Sequence, residues 1–151
     1  MKTVLIDTNL LLVLVVGWFD PKLLTAHKNT CMYRIEDFEL LCLYIEGYDK
    51  IVVTPNTLTE VSNLISQIGR PYKTSLRAFL GEFCEKTLEC YVPSSSVGKL
   101  PQMVSLGLTD AAILGVDIPI DLFLTADLDL YLAGLERGLP IENFTHIRFP
   151  S

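Results

Sequence analysis

Asp7, Glu60, Asp110 and Asp127 are the side chains whose type and placement can do chemistry together. Asp7 ends the apolar run of Val4-Leu5-Ile6-Asp7-Thr8-Asn9, a stretch that reads as a buried strand and would normally exclude a charge. Glu60 falls about one turn into a helix announced by Thr54-Pro55. Asp110 lies in the first turn of Leu108-Thr109-Asp110-Ala111-Ala112-Ile113-Leu114, with Thr109 as the expected cap, and Asp127 ends Leu124-Thr125-Ala126-Asp127. In an open parallel sheet, ligands bind outside the carboxyl ends of the strands. With crossovers of the usual hand, four acids from four segments are brought to one rim. Asp129, two residues further on, competes with Asp127 for the fourth position.

Carboxylates crowded in this way must hold protons or a cation, because at an effective dielectric of ~20 two like charges ~4 Å apart repel by about 4 kcal/mol. Oxygen ligands without histidine or cysteine suit a hard divalent ion, Mg²⁺ or Mn²⁺. Asn9 is placed to orient the Asp7 carboxylate by a side-chain hydrogen bond. Each acid alone also has an ordinary explanation: Asp7 as a helix cap, Asp110 as an anion favoured by a helix dipole, Glu60 as a solvated helix residue. The four in combination favour the metal site.

The elements that must position them alternate between short β-rich runs and longer helical patterns, which predicts an α/β fold: a three-layer α/β/α sandwich with a central parallel sheet. Thr3 to Ile6, Ile51 to Val53, Leu88 to Val92 and Leu122 to Thr125 read as strands, and Phe144 to Phe149 as a last one. Helices are expected over Leu10 to Val16, from Ile35 to Ile45, after Thr54-Pro55 until Gly69-Arg70-Pro71, over Ser75 to Lys86, after Thr109, and from Asp127 to Gly138. No repeat, low-complexity tract or linker divides the 151 residues, so one domain is expected.

With 12 basic and 18 acidic residues the net charge is −6, and the surface as a whole repels polyanions. A nucleic-acid partner must therefore be gripped locally. Arg70, Lys73 and Arg77, spaced for one helical face, and Lys99 are the candidates for phosphate contact, although such charges are more often plain solvated surface. Cys31, Cys42, Cys84 and Cys90 lack C-x-x-C spacing and read as reduced thiols rather than zinc ligands or disulfides. The unbroken apolar stretch Leu10 to Phe19 falls short of the ~20 residues of a spanning helix and is followed by no small-x-small cleavage site. A soluble, cytoplasmic protein without a membrane partner is the expectation. The loop Pro93 to Lys99 ends in Gly-Lys but lacks the P-loop pattern.

These motifs, in this order and covering nearly the whole chain, resemble the PIN-domain family. The resemblance implies a metal-dependent ribonuclease, with Asp7, Glu60, Asp110 and Asp127 on the family's acidic positions, members differing over which acid after the last strand they use. It places Thr125 on a hydroxyl that braces the site and Asn9 on the amide that follows the first acid. It further implies hydrolysis of RNA phosphodiesters by metal-activated water at the P–O3′ bond, leaving a 5′-phosphate. Many members are VapC-like toxins, so an antitoxin protein and a homodimer are implied partners, the latter in keeping with apolar strips on helices such as Ile35 to Ile45. Three alternatives are weighed against this. A metal-free nuclease would need paired histidines, and only His27 and His146 are present. A haloacid-dehalogenase-type phosphatase needs D-x-D, but residue 9 is Asn. A catalytically silent PIN-like module that binds RNA or protein would have no electrostatic reason to keep all four acids.

Overall fold

Thr3–Ile6 (β1) buries all four of its residues, as a strand covered on both faces must. The computed structural model describes residues 1–150. Among them, β1 lies at the centre of a five-stranded sheet with Lys50–Val53 (β2), Leu88–Glu89 (β3), Leu122–Thr125 (β4) and Ile141–Asn143 (β5). The order is β3-β2-β1-β4-β5 and every pairing is parallel. The chain thus builds outward from β1 to β3 on one side, then crosses back to lay β4 and β5 on the other.

Alternate strand residues feed two cores. Val4, Ile6, Val53, Leu122 and Leu124 face a layer made by Thr8–Phe19 (α1), Ile35–Ile45 (α2), Pro55–Ile65 (α3) and Tyr72–Lys86 (α4). Leu5, Val52, Phe123 and Ile141 face the other layer, whose short helices are Ser94–Val97 (α5), Gln102–Leu106 (α6) and Leu108–Leu114 (α7), followed by Leu128–Glu136 (α8). The result is the expected three-layer α/β/α sandwich. None of the described helices is long and apolar enough to cross a membrane.

α1 is apolar all round and buried from Leu10 through Gly17, and this burial overrides the weak helix preference of Val13, Val15 and Val16. Helix α2 crosses it closely at Gly17, where a Cβ would stand 2.3 Å from the Phe38 ring.

Several element boundaries differ from the sequence pattern. The segment read as a last strand, Phe144 to Phe149, is instead a helix, Phe144–Arg148 (α9), and the strand is the preceding Ile141–Asn143. Asn143 starts that helix by accepting the Thr145 N–H at 2.9 Å, a local cap that outweighs the apolar alternation after it. β3 stops at Glu89, although Cys90 N still donates to Val53 O at 2.8 Å. The start of α7 is Gly107, not Thr109: its φ of +88° is a conformation glycine adopts freely, and no side chain caps the helix. α4 begins three residues before Ser75, and a single turn, α5, interrupts the loop from Pro93 to Lys99.

Gly17→Ala tests the α1–α2 crossing. Phe38 is buried and must be displaced, so the variant is expected to lose about 1–3 kcal/mol of stability, the usual range for overpacking, measured by urea denaturation against the parent protein.

Candidate active site

The first residue past β1 is Asp7, only 5% exposed. Ile6 pairs with Leu124, and Asp7 N donates to Leu124 O at 3.1 Å, so the next step along both strands sets Asp7 beside Thr125. Thr125 Oγ1 donates to Asp7 Oδ2, which also accepts from Ala126 N at 3.3 Å. Asp7 Oδ1 accepts from Leu10 N at 3.1 Å and caps α1. Capping and a place in the site therefore coexist in one side chain, and Oδ1 keeps a lone pair free. Burial pushes the Asp7 carboxyl above its usual range; the Thr125 hydroxyl and the two backbone donors pull it back, and the nearby charge of Asp127 adds to the rise.

Thr125 holds two acids in register. Its oxygen accepts from Asp127 N at 2.9 Å, which commits the hydroxyl proton to Asp7. Asp127 in turn caps α8, with Oδ1 accepting from Leu130 N at 2.9 Å. On the facing side Glu60, from α3, accepts the Thr8 hydroxyl on Oε2 at 3.2 Å. Asp110, in the first turn of α7, is half-buried. Its carboxyl is pushed up to about 7, first by burial and then by the charges of Asp7, Asp127 and Glu60.

The four carboxylates line one cavity of about 420 Å³, completed by Thr8, Asn9, Asn29, Asn63 and Leu64. It opens between β1 and β4, where the build direction of the sheet reverses. No basic side chain lines it. Negative charge is thus concentrated with no internal counter-ion, and the donors are hard oxygens, so the residues suit Mg²⁺ or Mn²⁺ in kind. As they stand, no group of three acids, imidazoles or thiols among the described residues is close enough to enclose an ion. Glu60 is turned to Thr8 and Asp127 to its own helix, so coordination requires side-chain movement across the cavity.

Asp129 is exposed in the first turn of α8 and does not line the cavity; of the two candidates for the fourth acid, Asp127 is the one that does. Asn9 does not orient Asp7. Its Oδ1 accepts from Asn29 Nδ2 at 3.5 Å, and the bracing expected of Asn9 falls to Thr125, because Asn9 projects from the exposed side of the first turn of α1.

Of the basic residues expected to share a helical face, Lys73 and Arg77 do, four residues apart in α4, and Arg70 does not. Arg70 lies in the turn before α4, Lys73 opens the helix, and Arg77 reaches back to α3, where its Nη2 donates to Ser66 Oγ at 2.7 Å. Arg77 lines an adjoining cavity of about 350 Å³ that shares Asn63 with the carboxylate cavity, whereas Arg70, Lys73 and Lys99 line neither. Neither histidine lines the carboxylate cavity: His27 Nδ1 accepts from Asn29 N at 2.9 Å, and His146 packs edge-on against Tyr131. Asn29 and Asn63 are site residues that no sequence pattern singled out. Thr8 stood in the Asp7-Thr8-Asn9 motif without an assigned role.

The chain matches no protein-family model and no curated protein. The functional reading therefore rests on this cavity.

A raised carboxyl is one whose charged form the fold disfavours. Asp110 lowers the stability of the metal-free protein as pH rises from its unfolded value of 3.8 through about 7. Asp110→Asn is accordingly expected to melt a few degrees higher than the parent above pH 7 in EDTA, with the difference vanishing below pH 4. Thermal melts across that range check it; equal melting temperatures at high pH would contradict the like-charge cluster.

Proposed function

We propose that this chain is a metal-dependent endoribonuclease of the PIN type. One observation carries the reading: four carboxylates from four separate segments converge on a cavity at the switch point of a parallel sheet, without a basic neighbour. Asp7, Glu60, Asp110 and Asp127 hold Mg²⁺ or Mn²⁺ in this account, and Thr125 fixes the Asp7 carboxylate. An ion held by these residues would supply positive charge for a scissile phosphate and for acidifying a water. The Thr125 hydroxyl and the Ala126 N–H orient Asp7, and no basic side chain lines the cavity. RNA is the substrate, gripped locally despite the net charge of −6. Arg77, in the adjoining cavity, is better placed for that grip than Arg70, Lys73 or Lys99. A cytoplasmic toxin paired with an antitoxin protein, and a homodimeric assembly, are settings compatible with this reading, as is a role in RNA processing.

A second reading is a PIN-like module that binds without cleaving. It draws on the spread of the acids, none of which is grouped in threes closely enough to enclose an ion. The concentration of uncompensated charge favours the enzyme, because a binding module gains nothing from that repulsion.

Cleavage of single-stranded RNA is expected to require Mg²⁺ or Mn²⁺ and to stop in EDTA. Replacing even an outer partner of a metal ligand costs about 10–100-fold, so Asp7→Asn, Glu60→Gln, Asp110→Asn and Asp127→Asn should each lose at least about a hundredfold. Thr125→Val is expected to fall within the smaller range and Asp129→Asn to match the parent. Full activity of Asp7→Asn, or cleavage undiminished by EDTA, would refute the assignment.

A further inference from the structure

The cavity that adjoins the carboxylates is opposite to them in charge. It lies between α3 and α4, its volume is about 350 Å³, and Arg77 is the one charged side chain that lines it. Of the acids on these two helices, Glu60 lines the carboxylate cavity and Glu82 lines a third cavity beside Trp18. Glu85 belongs to α4 as well; with Glu89 it adds to the rise that burial gives the Cys84 thiol, yet neither lines the Arg77 cavity. Among the described residues the one ion pair joins Arg148 to Asp37, so no carboxylate neutralises Arg77. Lys73, one turn earlier on the same face of α4, adds a second positive charge. Arg77 is aimed by a hydrogen bond from Nη2 to Ser66 Oγ at 2.7 Å, and Ser66 Oγ donates onward to Ser62 O at 3.0 Å. A guanidinium carries five N–H donors, and the rest stay available. The Thr59 hydroxyl is committed to Pro55 O at 2.9 Å. The Ser62 hydroxyl and the Asn63 amide also line the cavity and have no hydrogen-bond partner among the described residues.

We infer that this cavity seats a phosphate of an RNA strand, one that flanks the scissile phosphate rather than the scissile phosphate itself. The donors fit in kind: a guanidinium fork meets two phosphate oxygens, with a hydroxyl and an amide beside it. Position decides which phosphate. Glu60, on the carboxylate cavity, and Ser66, which holds Arg77, stand six residues apart along α3, roughly 9 Å at 1.5 Å per residue. That is about three times a hydrogen-bond length, so one phosphate does not meet both. Asn63 lies between them and lines both cavities. A strand crossing α3 at Asn63 therefore offers one phosphate to an ion among the carboxylates and another to Arg77. Such a local cation is what a chain of net charge −6 needs to grip a polyanion. The choice of a flanking phosphate rests on the proposed nuclease reading, whereas the phosphate site itself does not.

The probe is a fluorescent single-stranded oligouridylate, bound in EDTA so that metal-dependent cleavage does not intervene, and followed by anisotropy across a salt series. One phosphate contact on a single strand contributes about 0.7 to the slope of log K against log salt. Arg77→Ala is expected to bind more weakly with a slope shallower by about that amount, and Arg77→Lys to keep the parent's slope. If Arg77 only braced α4 on α3, Arg77→Ala would melt lower while its slope stayed that of the parent, and the inference would be overturned. No binding by the parent would overturn it too, as would binding of inorganic phosphate that Arg77→Ala loses without any change toward RNA. With Mn²⁺ and a cleavable RNA, neutralising a single flanking phosphate as its methylphosphonate should lower the parent's kcat/KM about tenfold or more and leave that of Arg77→Ala unaltered. Equal losses in the two proteins would contradict the flanking position. RNA left uncut by the parent would refute the nuclease reading instead, and the salt slopes would still decide the phosphate site.

Discussion

A single buried carboxylate at the seam between β1 and β4 organises this protein. Asp7 is the next residue after a strand buried on both faces, and a charge there costs several kcal/mol of lost hydration in its effective form. Three donors meet it: Leu10 N, Ala126 N and the Thr125 hydroxyl. At roughly 1.5–3 kcal/mol for each hydrogen bond to a charged group, they offset a penalty of that size without reversing it. The raised Asp7 carboxyl is the remainder. These same bonds start α1, lock β1 against β4 and, through Thr125, set the entry into α8, so the site and the fold share their hydrogen bonds.

The other acids extend that tension. Asp110, held near neutrality in its titration by burial and by three like charges, binds a proton where a surface aspartate would not. A proton and a divalent cation would relieve the same repulsion, so a cation bound there would compete with the proton and release it. The carboxylates are arranged for such a guest in charge and in donor type, while the hydrogen bonds of Glu60 and Asp127 hold the cavity open. The other edge of the sheet has a different character. A cavity there joins an aromatic floor to Glu39, Glu46, Glu82 and Asp49, the last of which accepts the Lys2 N–H.

Much of this was legible in the sequence because parallel sheets tie local pattern to position. Apolar runs of strand length gave β1 and β4, and their pairing brings Asp7 and Thr125 together once both run the same way. Asp127 could be placed at the rim by the same logic, although choosing it over Asp129 needed the turn of α8. Other features depended on geometry that pattern does not encode. Alternation of apolar and polar residues from Phe144 to Phe149 satisfied a strand period, but the Asn143 side chain caps a helix there. Gly107 rather than Thr109 opens α7 because a positive φ, not a hydroxyl, makes that turn. Asn29 and Asn63 reach the cavity from a connector and from the last turn of α3, where neither spacing nor residue type marks them. Asn9 lines the cavity as its place in the motif suggested, but its amide meets Asn29 rather than Asp7. The aromatic cavity was invisible for a similar reason: α2 has apolar residues around most of its surface, and only the neighbouring helices determine that Leu43 stays bare.

The central claim is that the carboxylate cavity takes up a divalent cation, and calorimetric titration of the metal-free protein with Mn²⁺ addresses it most directly. Saturable binding that releases protons near pH 7 and disappears in Asp7→Asn is the predicted result. Absence of any Mn²⁺ binding by the parent protein, or the same binding by Asp7→Asn, would contradict it.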